Sequence, residues 1–366
     1  MTTPRIEIDL ARLHHNAETL VRRLGARSVG VTGVTKVTLG STEVARTLLH
    51  AGVVAIGESR IENVEALRRG GITAPITLIR SPLMSQVDRV VEHSDVSFNT
   101  EPDVIEALSV AAVRQDRIHG VVLMVELGDL REGILADDLE AIAATTSRLS
   151  HLELRGIGAN LACQNGVVPD DRNMAQLSSL VASVERRIGA PLITVSGGNS
   201  ASLEWAMSTG GIGRITDLRL GESIHLGREP LGRTAIDDLH LDVYTLVTEV
   251  IEAKVKPTAP WGDTGQAAFG RVRSTPSDFN GTTRVIAGVG RQDIDPDGLV
   301  APVGMAILGA SSDHLVLGSH DPSPRIGTEL RLPIRGYGTL LRAMTSPFVT
   351  RQYLAAGQPS PQVVPA

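Results

Sequence analysis

Between residues 28 and 227, short β-branched runs alternate with longer segments whose apolar positions recur every three or four residues. A buried parallel strand is apolar throughout, whereas a helix lying on a sheet is apolar along one stripe. The alternation therefore predicts successive βα units around a parallel sheet. The strand-like runs are 29–36, 53–58, 76–80, 96–99, 121–127, 154–161, 192–196 and 218–226. Eight of them fit a closed (β/α)8 barrel of the TIM type. Helical spacing is clear at Val44, Leu48 and Leu49, at Val104, Ile105 and Leu108, and at Leu177, Leu180, Val181 and Val184. An extra helix precedes the first barrel strand, with Asp9 as its cap and Leu13, Ala17, Leu20 and Leu24 as its buried stripe.

Beyond Arg228-Glu229-Pro230 the pattern changes. Runs 244–255, 283–289, 305–308, 314–317 and 330–334 read as strands separated by Gly, Pro and Asp turns, with no long helix between them. The chain of 366 residues thus divides into a β/α barrel at 1–232 and a mainly β C-terminal domain at 233–366. The tail 358–366, rich in Pro and small residues, reads as loose.

Composition narrows the function. A chain that is 42% hydrophobic and 21% charged is globular, and no run approaches the ~18 apolar residues of a membrane span. The opening Met1-Thr2-Thr3-Pro4-Arg5 leads straight into strand-like Ile6-Glu7-Ile8 without the apolar core of a secretory signal, so a cytoplasmic protein is expected. A net charge of −6 and 2% aromatic residues argue against nucleic acid and for a small-molecule partner. One cysteine, Cys163, excludes an intramolecular disulfide and a thiolate metal site, and is expected to be a small buried apolar residue.

Functional groups of a β/α barrel come from the C-terminal ends of its strands, which singles out Lys36. It ends an apolar run, where desolvation and cationic neighbours lower an amine's proton affinity, and a neutral amine attacks an aldehyde. Strands seven and eight run into Ser196-Gly197-Gly198-Asn199-Ser200 and Arg219-Leu220-Gly221-Glu222, glycine turns of the kind that cradle phosphate in this region of barrels. Taken singly, each is equally an ordinary tight turn. Together with Lys36 they point to a cofactor bearing an aldehyde and a phosphate, as pyridoxal 5′-phosphate does.

These residues resemble the fold-type III pyridoxal-phosphate enzymes, the alanine racemase superfamily, and within it the ornithine-racemase branch. The matching segments span nearly the whole chain: Gly33-Val34-Thr35-Lys36, Gly57-Glu58-Ser59, Glu126-Leu127-Gly128-Asp129-Leu130-Arg131-Glu132-Gly133, Gly156-Ile157-Gly158-Ala159-Asn160-Leu161, the Ser196 and Arg219 turns, Gly290-Arg291-Gln292-Asp293, and Tyr337-Gly338-Thr339-Leu340-Leu341-Arg342-Ala343-Met344. The resemblance implies a racemase of a free amino acid, ornithine, lysine or a relative. It makes Lys36 the lysine that holds the cofactor as an aldimine and carries the α-proton on one face. It sets Arg219 against the pyridine nitrogen and Asn160 beside the ring. Ser200, Gly221, Glu222 and Tyr337 take phosphate-binding positions, and Arg131 lies near the substrate carboxylate. It also implies a homodimer in which the second domain of one subunit closes the partner's site.

Three departures bear on mechanism. Gly40 stands where alanine racemases have a phosphate-binding tyrosine, Asn160 replaces a histidine, and Phe269 replaces the tyrosine that serves as opposite-face base. Phenylalanine moves no proton, so another group is required; Asp293 is the first candidate, with Asp295 and His314 as rivals. Glu58, Asp129 and Glu222 are candidate receivers of a distal ammonium. Two other functions stay open: a non-catalytic cofactor carrier, which the C-terminal β domain argues against, and a metal-dependent D-3-hydroxyamino-acid aldolase, for which no His and Cys pair stands at ligand spacing in that domain.

Overall fold

The computed structural model describes residues 2–257, 259–269, 283–320 and 324–354. Strand β1 (Arg5–Asp9) leads into helix α1 (Leu10–Gly25). Asp9 Oδ1 accepts the Arg12 N–H at 3.0 Å, and Leu13, Ala17, Leu20 and Leu24 are fully buried, as the apolar stripe requires.

Eight parallel strands close the barrel: β2 (Gly30–Val34), β3 (Ala55–Glu58), β4 (Ile76–Leu78), β5 (Val96–Asn99), β6 (His119–Met124), β7 (Leu152–Gly158), β8 (Thr194–Ser196) and β9 (Asp217–Leu220). The ring closes where β9 pairs with β2, Asp217 opposite Gly30 and Arg219 opposite Thr32. Phe98, Val122 and Met124 fill part of the barrel interior, with Ile79 and Val96 packed against them. Gly156 keeps β7 close to β8: a Cβ there would lie 1.8 Å from the Thr194 carbonyl oxygen.

The eighth run is shorter than its hydrophobicity suggests. It stops at Leu220, and Glu222–Leu226 form a short helix, because Gly221 breaks the extended backbone and Gly227, at φ 64°, ends the helix. Apolar content alone does not distinguish a buried strand from a buried helical turn.

The second sheet consists of β10 (Tyr244–Val255), β11 (Thr283–Ala287), β12 (Met305–Ala310), β13 (Leu315–Ser319), β14 (Glu329–Pro333) and β15 (Thr350–Leu354), together with β1. Long β10 is the hub, pairing antiparallel with β1, β11 and β14 and shifting register between Val250 and Glu252. A nine-residue helix, α2 (Tyr337–Thr345), lies between β14 and β15 where no long helix was expected.

The chain forms two compact units, Leu13–Leu239 and the described residues of Met1–Arg12 with His240–Ala366. This division departs from the expected 1–232 and 233–366 chiefly at the N-terminus. Arg5–Asp9 pair antiparallel with β10 and parallel with β15, so backbone hydrogen bonds assign the first strand to the sheet unit. Such long-range pairing leaves no local mark in the sequence. Residues 358–366, expected to be loose, lie outside the described residues.

Candidate active site

Lys36 opens the single-turn segment Lys36–Thr38 immediately after β2, at the end of the barrel where βα loops gather. The Thr35 N–H donates to the Gly57 carbonyl at 3.1 Å and the Thr38 hydroxyl to the Thr35 carbonyl at 2.9 Å, pinning the backbone around it. Burial pushes the amine below the ordinary lysine value. Cys163 and Glu58 oppose that shift, whereas Arg131 and Arg219 reinforce it. An amine so placed is primed for attack on an aldehyde carbon.

Arg219, from β9, is only 4% exposed. Its Nη1 donates to the Ser196 hydroxyl at 2.6 Å, and its Nη2 to the Ala159 carbonyl at 2.9 Å and the Asn160 Oδ1 at 3.1 Å. The Phe98 ring lies 5.0 Å from the guanidinium carbon, a cation–π contact. Burial lowers its pKa to about 10, against the attraction of Asp217. Asn160 accepts from both Arg219 and the Asn199 amide, yet its own buried Nδ2 has no partner among the described residues. A buried donor left over beside Arg219 suits an acceptor on a bound molecule.

The candidate phosphate cradle is made by two turns. The Ser200 hydroxyl receives the N–H groups of Gly221 and Ser223, each at 3.2 Å, and the Ser223 hydroxyl at 3.1 Å. These three donors converge on one oxygen, and a phosphate oxygen would take them in the same way. Lys36, Arg219, Asn160 and this cradle all belong to the barrel unit and fit a cofactor with an aldehyde, a ring and a phosphate. Sequence reasoning missed Ser223; the spacing Gly221-x-Ser223, an amide and a hydroxyl on one short turn, was its only signal.

Gly40 leaves no room for a side chain. Its φ is +65°, and a Cβ would lie 2.7 Å from the Asn63 carbonyl oxygen, so no side chain fits unless Asn63 moves. Gly40→Ala is expected to cost about 2–3 kcal/mol from left-handed strain and overlap. Denaturant unfolding checks this, and an unchanged midpoint would refute the close approach.

Arg131 pairs with Glu132 and donates from Nη1 to the Cys163 sulfur at 2.8 Å. Cys163 is therefore exposed rather than buried as expected, because it sits on the loop after β7 instead of in a strand. Asp129, 1% exposed, organises this loop: its carboxylate accepts the N–H groups of Cys163, Gln164, Asn165 and Val167 at 2.8–3.3 Å. Burial would raise its pKa, but these bonds hold it below the usual carboxylate value. Glu58 accepts from Thr35, Ser59 and Asn63 at 2.8–3.1 Å, while burial raises its pKa. Glu222 pairs with Arg233. All three candidate receivers of a distal ammonium are thus engaged with their own chain.

Within the sheet unit, Tyr337 is the first residue of α2, next to the close contact of Gly298 and Gly336, where a Cβ on Gly336 would lie 2.8 Å from the Gly298 Cα. Asp293 is buried and takes the Ser346 hydroxyl on Oδ1 at 2.6 Å. Asp295 caps its own turn through the Asp297 N–H at 3.2 Å, and exposed His314 contacts the Ser311 hydroxyl at 3.4 Å. Phe269 is 52% exposed, its ring centroid 5.6 Å from the Arg291 guanidinium carbon.

Comparison with known proteins gives three concordant results. Residues 8–228 match the family model for the N-terminal domain of alanine racemase. A lysine racemase of Thermotoga maritima is 37% identical over 357 residues, 96% of this chain and 99% of that protein. An ornithine racemase of Acetoanaerobium sticklandii is 34% identical over 358 residues, again 96% and 99%. Among solved structures, the alanine racemase of Streptomyces lavendulae superposes with a TM-score of 0.76 at 18% identity, covering 97% of this chain and 98% of that one, which is a likeness of fold.

Proposed function

Because the chain belongs to the alanine racemase family, we propose that it inverts the α-carbon of a free basic amino acid, lysine or ornithine, with pyridoxal 5′-phosphate as cofactor. The observation that carries this reading is the agreement over 96% of the chain with a lysine and an ornithine racemase, sheet unit included. When bound, the cofactor withdraws electrons from the α-carbon and makes its hydrogen acidic.

The chain's residues do the rest. Lys36 would bind the aldehyde carbon and carry the proton on one face. Ser200, the Gly221 amide and Ser223 would hold the phosphate, with Glu222 and Tyr337 as further proposed contacts. Arg219 would lie against the ring nitrogen; with a pKa of about 10 it remains a guanidinium near neutrality and gives up no proton there. Asn160 Nδ2 supplies the spare donor beside the ring. Arg131 receives the substrate carboxylate.

For the second face, Asp293 is the proposed proton carrier. One of its oxygens is bound by Ser346, the other accepts nothing among the described residues, and its side chain is buried. The protein is proposed to act in the cytoplasm as a homodimer, so that Asp293 of one subunit's sheet unit serves the other's barrel. No helix among the described residues is long and apolar enough to cross a membrane.

Incubation with single enantiomers of lysine, ornithine and alanine in deuterated water tests this reading. Deuterium at Cα and the mirror-image product are expected for the two basic amino acids, at least about tenfold faster than for alanine, a preference of ~1.4 kcal/mol. Bound cofactor with no exchange for any amino acid would instead make the protein a carrier. Chelator is expected to leave the rate unchanged, and a chelator-sensitive rate would favour the lyase.

A further inference from the structure

The buried acid tied to Arg219 takes no part in this chemistry. Asp217 lies on β9 two residues before Arg219 and is a largely buried carboxylate, 9% exposed. Its Oδ2 receives the Ser196 hydroxyl at 2.6 Å and its Oδ1 the Thr32 hydroxyl at 2.7 Å. The Ser196 oxygen simultaneously accepts Arg219 Nη1 at 2.6 Å. An arginine has no acceptor, so the single serine proton goes to Asp217 and the serine lone pair faces the guanidinium. The polarity of the chain Arg219→Ser196→Asp217 is thereby fixed.

We propose that Asp217, acting through the Ser196 hydroxyl, is the positioning and charge-balancing residue for Arg219, and so sets the electrostatic environment of the cofactor ring. The inference rests on the functional reading above, in which Arg219 faces the ring nitrogen. A direct Asp–Arg pair would draw the guanidinium onto the carboxylate and take two of its N–H groups. With a hydroxyl between them, the negative charge stays close while only one N–H is used on that side. The guanidinium plane is then held by Ser196, Ala159 and Asn160 over the Phe98 ring. A lone buried cation would be costly, and Asp217 offsets that cost without competing for the face presented to a ligand.

Asp217 bears on Lys36 through Arg219, whose charge it offsets and which itself depresses the amine. The titratable and charged groups that act on Lys36 are Arg131 and Arg219 on one side of that balance and Cys163 and Glu58 on the other; Glu132 adds to the field at Arg219. Asp217→Asn keeps the shape and an acceptor for a hydroxyl but removes the charge, leaving Arg219 uncompensated. A more positive site disfavours a further positive charge at the Lys36 nitrogen.

The test is a pH titration of the visible absorbance band of the holoenzyme, read beside its cofactor dissociation constant. In Asp217→Asn the midpoint is expected to fall by about one pH unit, and in Ser196→Ala by about half as much, since the carboxylate remains but its link to Arg219 is cut. A structural role alone would change stability and leave the midpoint in place. If Asp217→Asn does not fold, Ser196→Ala carries the test. A band that titrates as in the wild type in the folded variants overturns this inference and leaves the functional reading intact. A wild-type protein that takes up no pyridoxal phosphate overturns both.

Discussion

Lys36→Ala is expected to abolish covalent cofactor binding and to lower racemisation by at least about 10⁴-fold, because the proposed function gives one amine both tasks, anchoring the cofactor and moving a proton. Chiral chromatography of the products measures the loss, and a variant retaining more than about a hundredth of wild-type turnover would remove Lys36 from the mechanism. The loss is not expected to reflect unfolding. Burial depresses the folded-state pKa of this lysine, so its charged form is a liability to the native fold. That liability is present below the depressed folded value and shrinks as pH rises through it towards the unfolded value. Alanine removes it, and the variant should melt no lower than the wild type near neutral pH.

The second large effect concerns stability. Arg219→Leu leaves Asp217 buried without its counter-ion, and breaking one side of a buried charge pair costs about 3–5 kcal/mol. Burial already holds the Asp217 carboxyl above the usual range, opposed by the Ser196 and Thr32 hydroxyls and by Arg219; removing Arg219 raises it further. The sign of the pH dependence follows. A carboxyl whose folded pKa exceeds its unfolded value is penalised at high pH and relieved as pH falls and it protonates. The gap between variant and wild type in urea unfolding should therefore be widest above neutrality and narrow towards pH 5. A gap independent of pH would mean that Asp217 is not the uncompensated charge.

Much of the barrel was legible because its determinants are local. Strand β5 was read to the residue, and Lys36, Ser200 and Arg219 stand at strand ends and turns marked by β-branched runs and glycines. Other features depend on partners far along the chain. Ser196 read only as part of a turn and Asp217 as nothing in particular, yet 21 positions apart they share one proton. Asp129 looked like a free acid for a substrate, and four amides from a later loop consume it. Cys163 was misplaced because average cysteine behaviour outweighed a position on a loop.

By itself, the order of apolar runs and glycine turns determined eight βα units, the lysine at the mouth, two glycine turns beside it and a separate β-rich region, since each follows from side-chain periodicity and backbone freedom within a few residues. Only the tertiary structure decided that β1 belongs to the C-terminal sheet, that the eighth strand ends at Leu220, which acids are already engaged, and that a hydroxyl joins Arg219 to Asp217. Those outcomes depend on which distant donor meets which acceptor once the ring of strands closes, and the register of a closed sheet is a property of the whole chain rather than of any short segment.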